Sequence, residues 1–197
     1  MFSSVCVFCG SSSNAADIHF AAARQTAHAV AARRLRLVYG GSHVGLMGAL
    51  ADTALSLGVA VTGVIPQSLV AKEIAHHRLT EQHVVESMHD RKALMSELSE
   101  AFVALPGGFG TLDELFETLT WAQLRFHSKP VGLLNVGGFF DGLLAFIQRA
   151  VDDGFLHSAH REMIYVDQDP GSLLDRMSAF TPPEAGKWWS RPAPSVD

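Results

Sequence analysis

Short apolar runs alternate along the chain with longer segments of helical periodicity. The apolar runs are rich in Val and Leu and end at glycine, proline or serine, as buried parallel strands do; they cover residues 5–9, 35–39, 59–65, 101–105 and 131–135. The segments between them have the spacing of helices and cover 17–34, 44–57, 87–99, 111–125 and 139–153. This alternation predicts an α/β fold, a single doubly wound (Rossmann-like) parallel sheet with helices on both faces.

The pattern continues to about residue 180 and then changes. A last strand is expected over 164–166 and a last helix over 170–179. We therefore predict one domain over 1–180, followed by an extended tail over 181–197 that is rich in proline and contains Trp188 and Trp189. These tryptophans can pack on a partner subunit or back on the same chain.

Composition limits the classes of partner. A chain of 197 residues with 48% hydrophobic and 18% charged residues fits one globular domain. Its net charge of −5 offers no broad basic surface for nucleic acid, so a bound phosphate should belong to a small molecule. No run approaches the roughly 18 apolar residues that a membrane span needs, and residues 1–20 lack the features of a signal peptide. We therefore expect no membrane partner and a cytoplasmic location.

A glycine-rich turn follows the predicted strand 101–105. It contains Gly107, Gly108 and Gly110 and leads into a helix predicted to begin at Thr111. Glycines let backbone N–H groups approach an anion, and the positive end of a helix dipole favours one. The turns at 10–13 and 40–42 should lie at the same edge of the sheet, where doubly wound folds bind ligands. The first turn lacks the G-x-G-x-x-G pattern of a dinucleotide site, which argues against NAD.

Two readings of Thr111-x-x-Glu114 are open from spacing alone. It matches a capping box, in which Thr111 caps the helix and Glu114 reaches back to the cap N–H. It also places a carboxylate beside the presumed phosphate seat. Arg91 and Lys92, two adjacent cations, lie on a helix that leads into the glycine-bearing strand. Cations, open N–H groups and an acid thus converge on one face.

These residues carry a resemblance to a known family. The P-G-G-x-G-T-x-x-E pattern at 106–114, preceded by M-H-x-R-K at 88–92, resembles the LOG family of cytokinin riboside 5′-monophosphate phosphoribohydrolases. Similar segments lie at 38–48, 120–124 and 129–135, so the resemblance covers about residues 5–146. The family often has a third glycine after Tyr-Gly-Gly and then a small residue, where this chain has Ser42 and His43.

The resemblance implies an activity and a set of site residues. It implies hydrolysis of the N-glycosidic bond of N6-modified adenosine 5′-monophosphates, and of AMP, to free base and ribose 5-phosphate, without a cofactor. Arg91 and Glu114 match the family's catalytic pair. The substrate-binding set that we predict is Gly10, Ser11, Glu73, Arg91, Lys92, Gly107, Gly108, Phe109, Gly110, Thr111, Leu112, Asp113, Glu114 and Thr120.

The chemistry assigns a part to each group. Cleavage builds an oxocarbenium-like cation on the ribose, which a carboxylate can stabilise while it positions water. Because Glu114 is predicted in the first helical turn, we expect it to be ionised and not to be the proton donor. Lys92, the N–H groups of 108–111 and the Thr111 hydroxyl would hold the 5′-phosphate. Glu117, three residues beyond Glu114, is either a second acid or a solvated neighbour.

The resemblance also suggests a homodimer with its site near the subunit boundary. An apolar helix face could cover a partner; it carries Leu112, Leu115, Phe116 and Leu119.

Two other functions compete with hydrolysis. A nucleotide or molybdenum-cofactor carrier is the first, since such carriers also look built around P-G-G-x-G-T; the presence of both Arg91 and Glu114 favours turnover. The second follows from the label "lysine decarboxylase" on similar sequences and would need pyridoxal phosphate on a lysine. None of Lys72, Lys92, Lys129 and Lys187 lies in a recognisable setting for it.

Neither cysteines nor histidines predict a metal or redox site. Cys6 and Cys9 have C-x-x-C spacing, but the strand period sends them to opposite faces, as expected for buried thiols. The histidines over 76–89 lack the spacing of metal ligands, so we predict no metal.

Overall fold

A parallel β-sheet forms the centre of the molecule. The computed structural model describes residues 2–72 and 74–181. Over those residues the strands are β1 Ser4–Phe8, β2 Arg36–Tyr39, β3 Val61–Pro66, β4 Glu81–Val85, β5 Phe102–Ala104, β6 Val131–Leu134 and β7 Ile164–Asp167. The helices are α1 Asp17–Ala32, α2 Gly45–Ser56, α3 Gln67–Val70, α4 Met88–Glu97, α5 Phe109–Gln123, α6 Asp141–Asp152, α7 Ser158–Arg161 and α8 Pro170–Ser178.

The strand order is β4-β3-β2-β1-β5-β6-β7, and each adjacent pair is parallel. The order reverses between β1 and β5, which pair directly with Cys6 opposite Phe102. Ligands bind beyond the carboxyl ends of strands at such a reversal. The doubly wound prediction is confirmed.

Period 2 along each strand divides the core into two layers. Val5 and Val7 of β1 pack with α1, α2 and α8. Cys6 and Phe8 face the other side, where α4, α5 and α6 cover the sheet. The cysteines are free and buried, with Cys9 in the first layer, as the alternation predicts.

The sequence pattern missed β4. This strand, Glu81–Val85, contains no continuous apolar run and is largely exposed. Among the described residues it pairs with β3 alone, at the edge of the sheet, so backbone hydrogen bonding rather than burial places it there. The short helices α3 and α7, four residues each, were also not predicted.

The division at residue 180 stays a prediction, because 182–197, including Trp188 and Trp189, lie outside the described residues. Within the part that is described, no helix has the length and apolar character to cross a bilayer.

Candidate active site

The glycine turn after β5 leads into α5 earlier than predicted. Helix α5 begins at Phe109, and Gly108 is its N-cap, without a side-chain cap. The first intrahelical bond at this end runs from the Leu112 N–H to the Gly108 carbonyl (3.1 Å). The N–H groups of Phe109, Gly110 and Thr111 therefore have no acceptor within the helix, which is the arrangement that binds anions.

This start corrects the capping-box interpretation. Thr111 lies inside the first turn and Glu114 in the second, so neither occupies the cap positions that the motif requires. A capping box does occur in the protein, at the start of α4. There the Ser87 side chain accepts a hydrogen bond from the Asp90 N–H (3.0 Å), and Asp90 accepts one from the Ser87 N–H (3.1 Å).

The turns after β1 and β5 touch each other. The Gly10 N–H donates to the Pro106 carbonyl (3.1 Å). A Cβ on Gly107 would lie 2.1 Å from the Thr111 Oγ1 and 2.9 Å from the Gly10 nitrogen, so no larger residue fits between them. The two turns thus form one continuous floor at the reversal point of the sheet.

Helix α4 directs Arg91 toward the ends of the neighbouring strands β2 and β3. Its guanidinium is fixed by three contacts: Nε donates to the Val64 carbonyl (3.1 Å), Nη2 donates to the Gly40 carbonyl (3.1 Å), and Nη1 lies 3.3 Å from the Glu114 Oε1. The Arg91 side chain is only 8% exposed. Because the Gly40 carbonyl directly follows β2 and the Val64 carbonyl lies within β3, the sheet itself sets the position of the charge.

The structure changes the expected titration of Glu114. Its side chain is 8% exposed and lies past the first turn, away from the open N–H groups that would favour the anion. Burial raises the pKa of Glu114 to about 7, even though Arg91 opposes the shift. Glu114 therefore titrates near neutral pH, and the argument that excluded it as a proton donor no longer holds.

A cavity of about 320 Å³ opens above this pair. Both Arg91 and Glu114 line it, as do Gly10, Ser11, Gly108, Phe109, Gly110 and Thr111 of the predicted set. Phe109 is 94% exposed and stands at the mouth. The structure therefore brings eight predicted residues to one cavity at the expected edge of the sheet.

Comparison with known proteins identifies the family. The family model described as "Possible lysine decarboxylase" matches residues 47–177. The cytokinin riboside 5′-monophosphate phosphoribohydrolase LOG2 of Arabidopsis thaliana is 47% identical over 92% of this chain and 85% of its own length. The probable cytokinin riboside 5′-monophosphate phosphoribohydrolase LOGL9 of Oryza sativa subsp. japonica is 48% identical over 92% of this chain and 80% of its own length. The chain belongs to the LOG family.

Solved structures of lower identity share the fold of this LOG-family chain. The molybdenum cofactor binding protein from Rippkaea orientalis has a TM-score of 0.69 at 20% identity, covering 91% of this chain and 98% of its own. The molybdenum cofactor carrier protein from Chlamydomonas reinhardtii has a TM-score of 0.67 at 21% identity, covering 89% and 98%. At this identity the likeness shows the fold alone.

Other predicted residues of the LOG site lie outside the cavity lining. Lys92 Nζ is 3.0 Å from Asp113 Oδ2 and 3.1 Å from Glu117 Oε2, so it joins α4 to α5. Although partial burial opposes it, hydrogen bonding to these two acids raises the pKa of Lys92. A phosphate contact from Lys92 stays a prediction and would require Nζ to contact the phosphate in addition to Asp113 and Glu117. Glu117 is accordingly an ion-pair partner of Lys92.

Three further predicted residues have different surroundings. Leu112 packs against the core layer under α5. Thr120 is exposed, and its hydroxyl donates to the Phe116 carbonyl of its own helix (2.7 Å). Glu73 lies outside the described residues.

Sequence reasoning missed part of the cavity wall. Besides the predicted residues, the lining includes Val7, Phe8, Cys9, Gly40, Ser42, Met47, Ile65, Leu69 and Ile74. Most of these are apolar and lie at strand ends or in turns, where a sequence pattern does not separate a ligand wall from a core. For Gly40 and Ser42 the signal was present, since their turn was expected at this edge. Burial raises the pKa of Cys9, so its thiol stays protonated.

No group of three or more His, Cys, Asp or Glu residues with the geometry to hold a metal ion occurs in 2–72 and 74–181.

Proposed function

We propose that the protein hydrolyses the N-glycosidic bond of N6-modified adenosine 5′-monophosphates, and of AMP, to free base and ribose 5-phosphate. The observation that carries the proposal is the buried Arg91–Glu114 pair (3.3 Å) in the cavity beside the open end of α5. Relatives at 47% and 48% identity are named as phosphoribohydrolases of such nucleotides. The geometry supports hydrolysis, and the relatives support this substrate class.

The arrangement suits each stage of the reaction. The unpaired N–H groups at the start of α5 would bind the 5′-phosphate. The ribose would then lie over Glu114, whose carboxylate stabilises the cation that develops as the bond to the base breaks. Glu114 can also take a proton from the attacking water, since a base with a pKa of about 7 is well matched to neutral pH. Arg91 supplies positive charge for the departing base or the phosphate.

Neither competing function has a specific observation in its favour. No lysine of the described residues lines the cavity that contains Arg91 and Glu114, which disfavours an internal aldimine there. Lys129 instead donates to the Ser96 carbonyl (2.7 Å). The carrier proteins resemble this chain in fold, at 20% and 21% identity.

Product analysis tests the proposal. Purified protein should release free base from AMP and from isopentenyl-AMP without added cofactor. Adenosine should be turned over at least about 10²-fold less efficiently, because phosphate binding contributes energy that positions the sugar. Binding of AMP with no release of base would support a carrier, and equal turnover of adenosine and AMP would remove the phosphate seat from the mechanism.

The pH profile should follow Glu114. We expect kcat/KM for AMP to fall about tenfold per pH unit on the acid side of an apparent pKa of about 7, because protonation removes the carboxylate charge. Initial rates between pH 5 and 9 would show this limb. If the rate instead falls above pH 7 in a way that depends on Glu114, the residue acts as the proton donor.

Gly40 should be required for the position of Arg91. A Cβ at residue 40 would lie 1.9 Å from Arg91 Nη2, so Gly40→Ala must displace the guanidinium. We expect kcat/KM to fall by about tenfold or more, as small misplacements of catalytic groups do, while the protein stays folded. Gly142→Ala is the control, since its Cβ would meet nothing within 4 Å. Unchanged activity in Gly40→Ala would show that Arg91 tolerates movement.

A homodimer is part of the same proposal. The predicted apolar face of α5 needs one correction, because Leu115 is fully buried within its own subunit, and Leu112 and Leu119 pack against that core. The apolar surface available near the site consists of Phe109 (94% exposed), Met88 (42%) and Phe116 (39%). Burying it against a second copy would explain so much exposed aromatic area beside the cavity.

Light scattering at micromolar concentration should give twice the chain mass of 21.2 kDa. Phe116→Asp should shift the species to the monomer, because it introduces a charge into the buried patch. Phe155→Asp is the control at an exposed phenylalanine (87%) elsewhere on the surface. A single 21.2 kDa species in the unmodified protein would contradict the dimer.

A further inference from the structure

Residues 74–76 form a short antiparallel pairing with residues 41–43, which follow β2. The His43 N–H donates to the Ile74 carbonyl (3.0 Å), and the His76 N–H donates to the Gly41 carbonyl (2.9 Å). An antiparallel bridge joins Ser42 and Ala75 between them. Ser42 and His43 are the residues at which the chain departs from the usual LOG pattern, and here they pair with another segment.

The paired residues contribute to the wall of the nucleotide cavity. Ser42 and Ile74 both line the cavity that contains Arg91 and Glu114. A second contact strengthens the pairing, since His43 Nδ1 lies 3.2 Å from the Ala75 carbonyl. The two backbone hydrogen bonds that define this bridge make a short ladder, however, and short isolated ladders are marginal in water. Something further must keep the segment in place.

His76 and Asp52 supply that restraint from behind the wall. His76 is 3% exposed, and its Nε2 lies 3.2 Å from Asp52 Oδ1 on α2. The other ring nitrogen, Nδ1, accepts a hydrogen bond from the Arg78 N–H (3.1 Å). Because Nδ1 accepts, Nε2 must carry the proton that is donated to Asp52. The Arg78 side chain donates to the same Asp52 oxygen (2.6 Å).

The contact between His76 and Asp52, here called the clamp, connects two parts of the cavity wall without lining the cavity itself. Helix α2 contributes Met47 to the lining, and segment 74–76 contributes Ile74. Neither Asp52 nor His76 lines the cavity. Any influence on a bound nucleotide must therefore act through the placement of Ile74 and Ser42.

We propose that Asp52 and His76 are positioning residues that hold segment 74–76 against the nucleotide cavity and thereby set the affinity for the nucleoside monophosphate. The inference rests on the proposed function for its substrate. It predicts that the loss of the clamp weakens binding and leaves the bond-breaking step, which depends on Arg91 and Glu114, nearly unchanged.

Asp52→Ala tests the proposal, with Asp52→Asn and Asp175→Ala as the variants for comparison. We expect KM for AMP to rise about tenfold, by analogy with other lost positioning contacts, while kcat changes less than about threefold. Asp52→Asn should restore a KM near that of the unmodified protein, because its amide oxygen still accepts from His76 and Arg78. Asp175→Ala is the control: it breaks the Arg33–Asp175 pair (2.8 Å) between the C-cap of α1 and α8 and should leave KM unchanged.

Amide hydrogen exchange gives a readout that does not depend on turnover. The His76 N–H should exchange faster in Asp52→Ala than in Asp175→Ala, because its bond to Gly41 loses support. His76→Phe keeps a ring of similar size without either nitrogen and should reproduce both effects. The double variant should be no worse than either single one, since both remove the same restraint. If Asp52→Ala fails to fold, His76→Phe carries the test.

The outcomes separate this inference from the proposed function. An unchanged KM, with only a lower unfolding temperature, would overturn the positioning role and leave the pair as part of the scaffold. If the unmodified protein releases no base, the proposed function fails. The clamp is then tested by measuring the affinity for AMP by calorimetry. A raised Kd in Asp52→Ala together with faster His76 exchange supports the clamp, and an unchanged Kd overturns it.

Discussion

Glu114→Gln should lower kcat for AMP by at least about 10²-fold, because the amide cannot carry the charge that stabilises the oxocarbenium ion or accept a proton from water. The protein should still bind AMP, since the open N–H groups of α5 are untouched. Base release from saturating AMP, followed chromatographically, measures the effect. Glu97→Gln, an exposed glutamate on α4, is the matched control and should keep full activity.

Stability offers a second reading of the same variant. The ordinary pKa of 4.5 rises to about 7 in the folded protein, so folding favours the protonated form, and the wild type loses that stability as pH rises through about 7. Glutamine does not titrate. We therefore expect Glu114→Gln to gain on the order of 3 kcal/mol relative to the wild type between pH 4 and pH 8. Normal turnover in a folded Glu114→Gln protein would remove Glu114 from the chemistry.

Arg91→Lys should lower kcat/KM by about 10²-fold, although it keeps the charge. The planar fork of arginine contacts Val64, Gly40 and Glu114 at once. A lysine ammonium is a compact point charge without the planar fork and cannot reach all three. Steady-state kinetics with AMP would measure the loss. Arg24→Lys, at an exposed position on α1, is the control.

The acid limb of the pH profile distinguishes loss of position from loss of fold. Arg91 lowers the pKa of Glu114 against the larger effect of burial. A more distant cation should oppose burial less, so the limb should move to higher pH in Arg91→Lys. If the variant keeps wild-type turnover and an unshifted limb, Arg91 is only a buried structural charge and the site assignment fails.

The order of strands and helices could be predicted because it is written in local periodicity. Five buried strands appear as runs of apolar residues bounded by glycine, proline or serine, because they are buried on both faces. Most helices appear as segments of helical spacing between those runs. Strand β4 had no such signal, because it is an exposed edge strand held by pairing with β3. The P-G-G-x-G-T-x-x-E pattern likewise located the turn at the reversal point of the sheet, where Gly107 is required by the contact with the turn at Gly10.

The sequence by itself determined the family, the sheet and the residues that meet at its edge, because these depend on residue type and spacing. Tertiary structure decided how the charges behave. Spacing predicted an ionised Glu114 at a helix start, but α5 begins at Phe109 and the surrounding core buries the carboxyl group. The tertiary structure also places the Lys92 ammonium beside Asp113 and Glu117. A pKa and an ion-pair partner depend on distances across the fold and on exclusion of water, which neighbours in sequence do not specify.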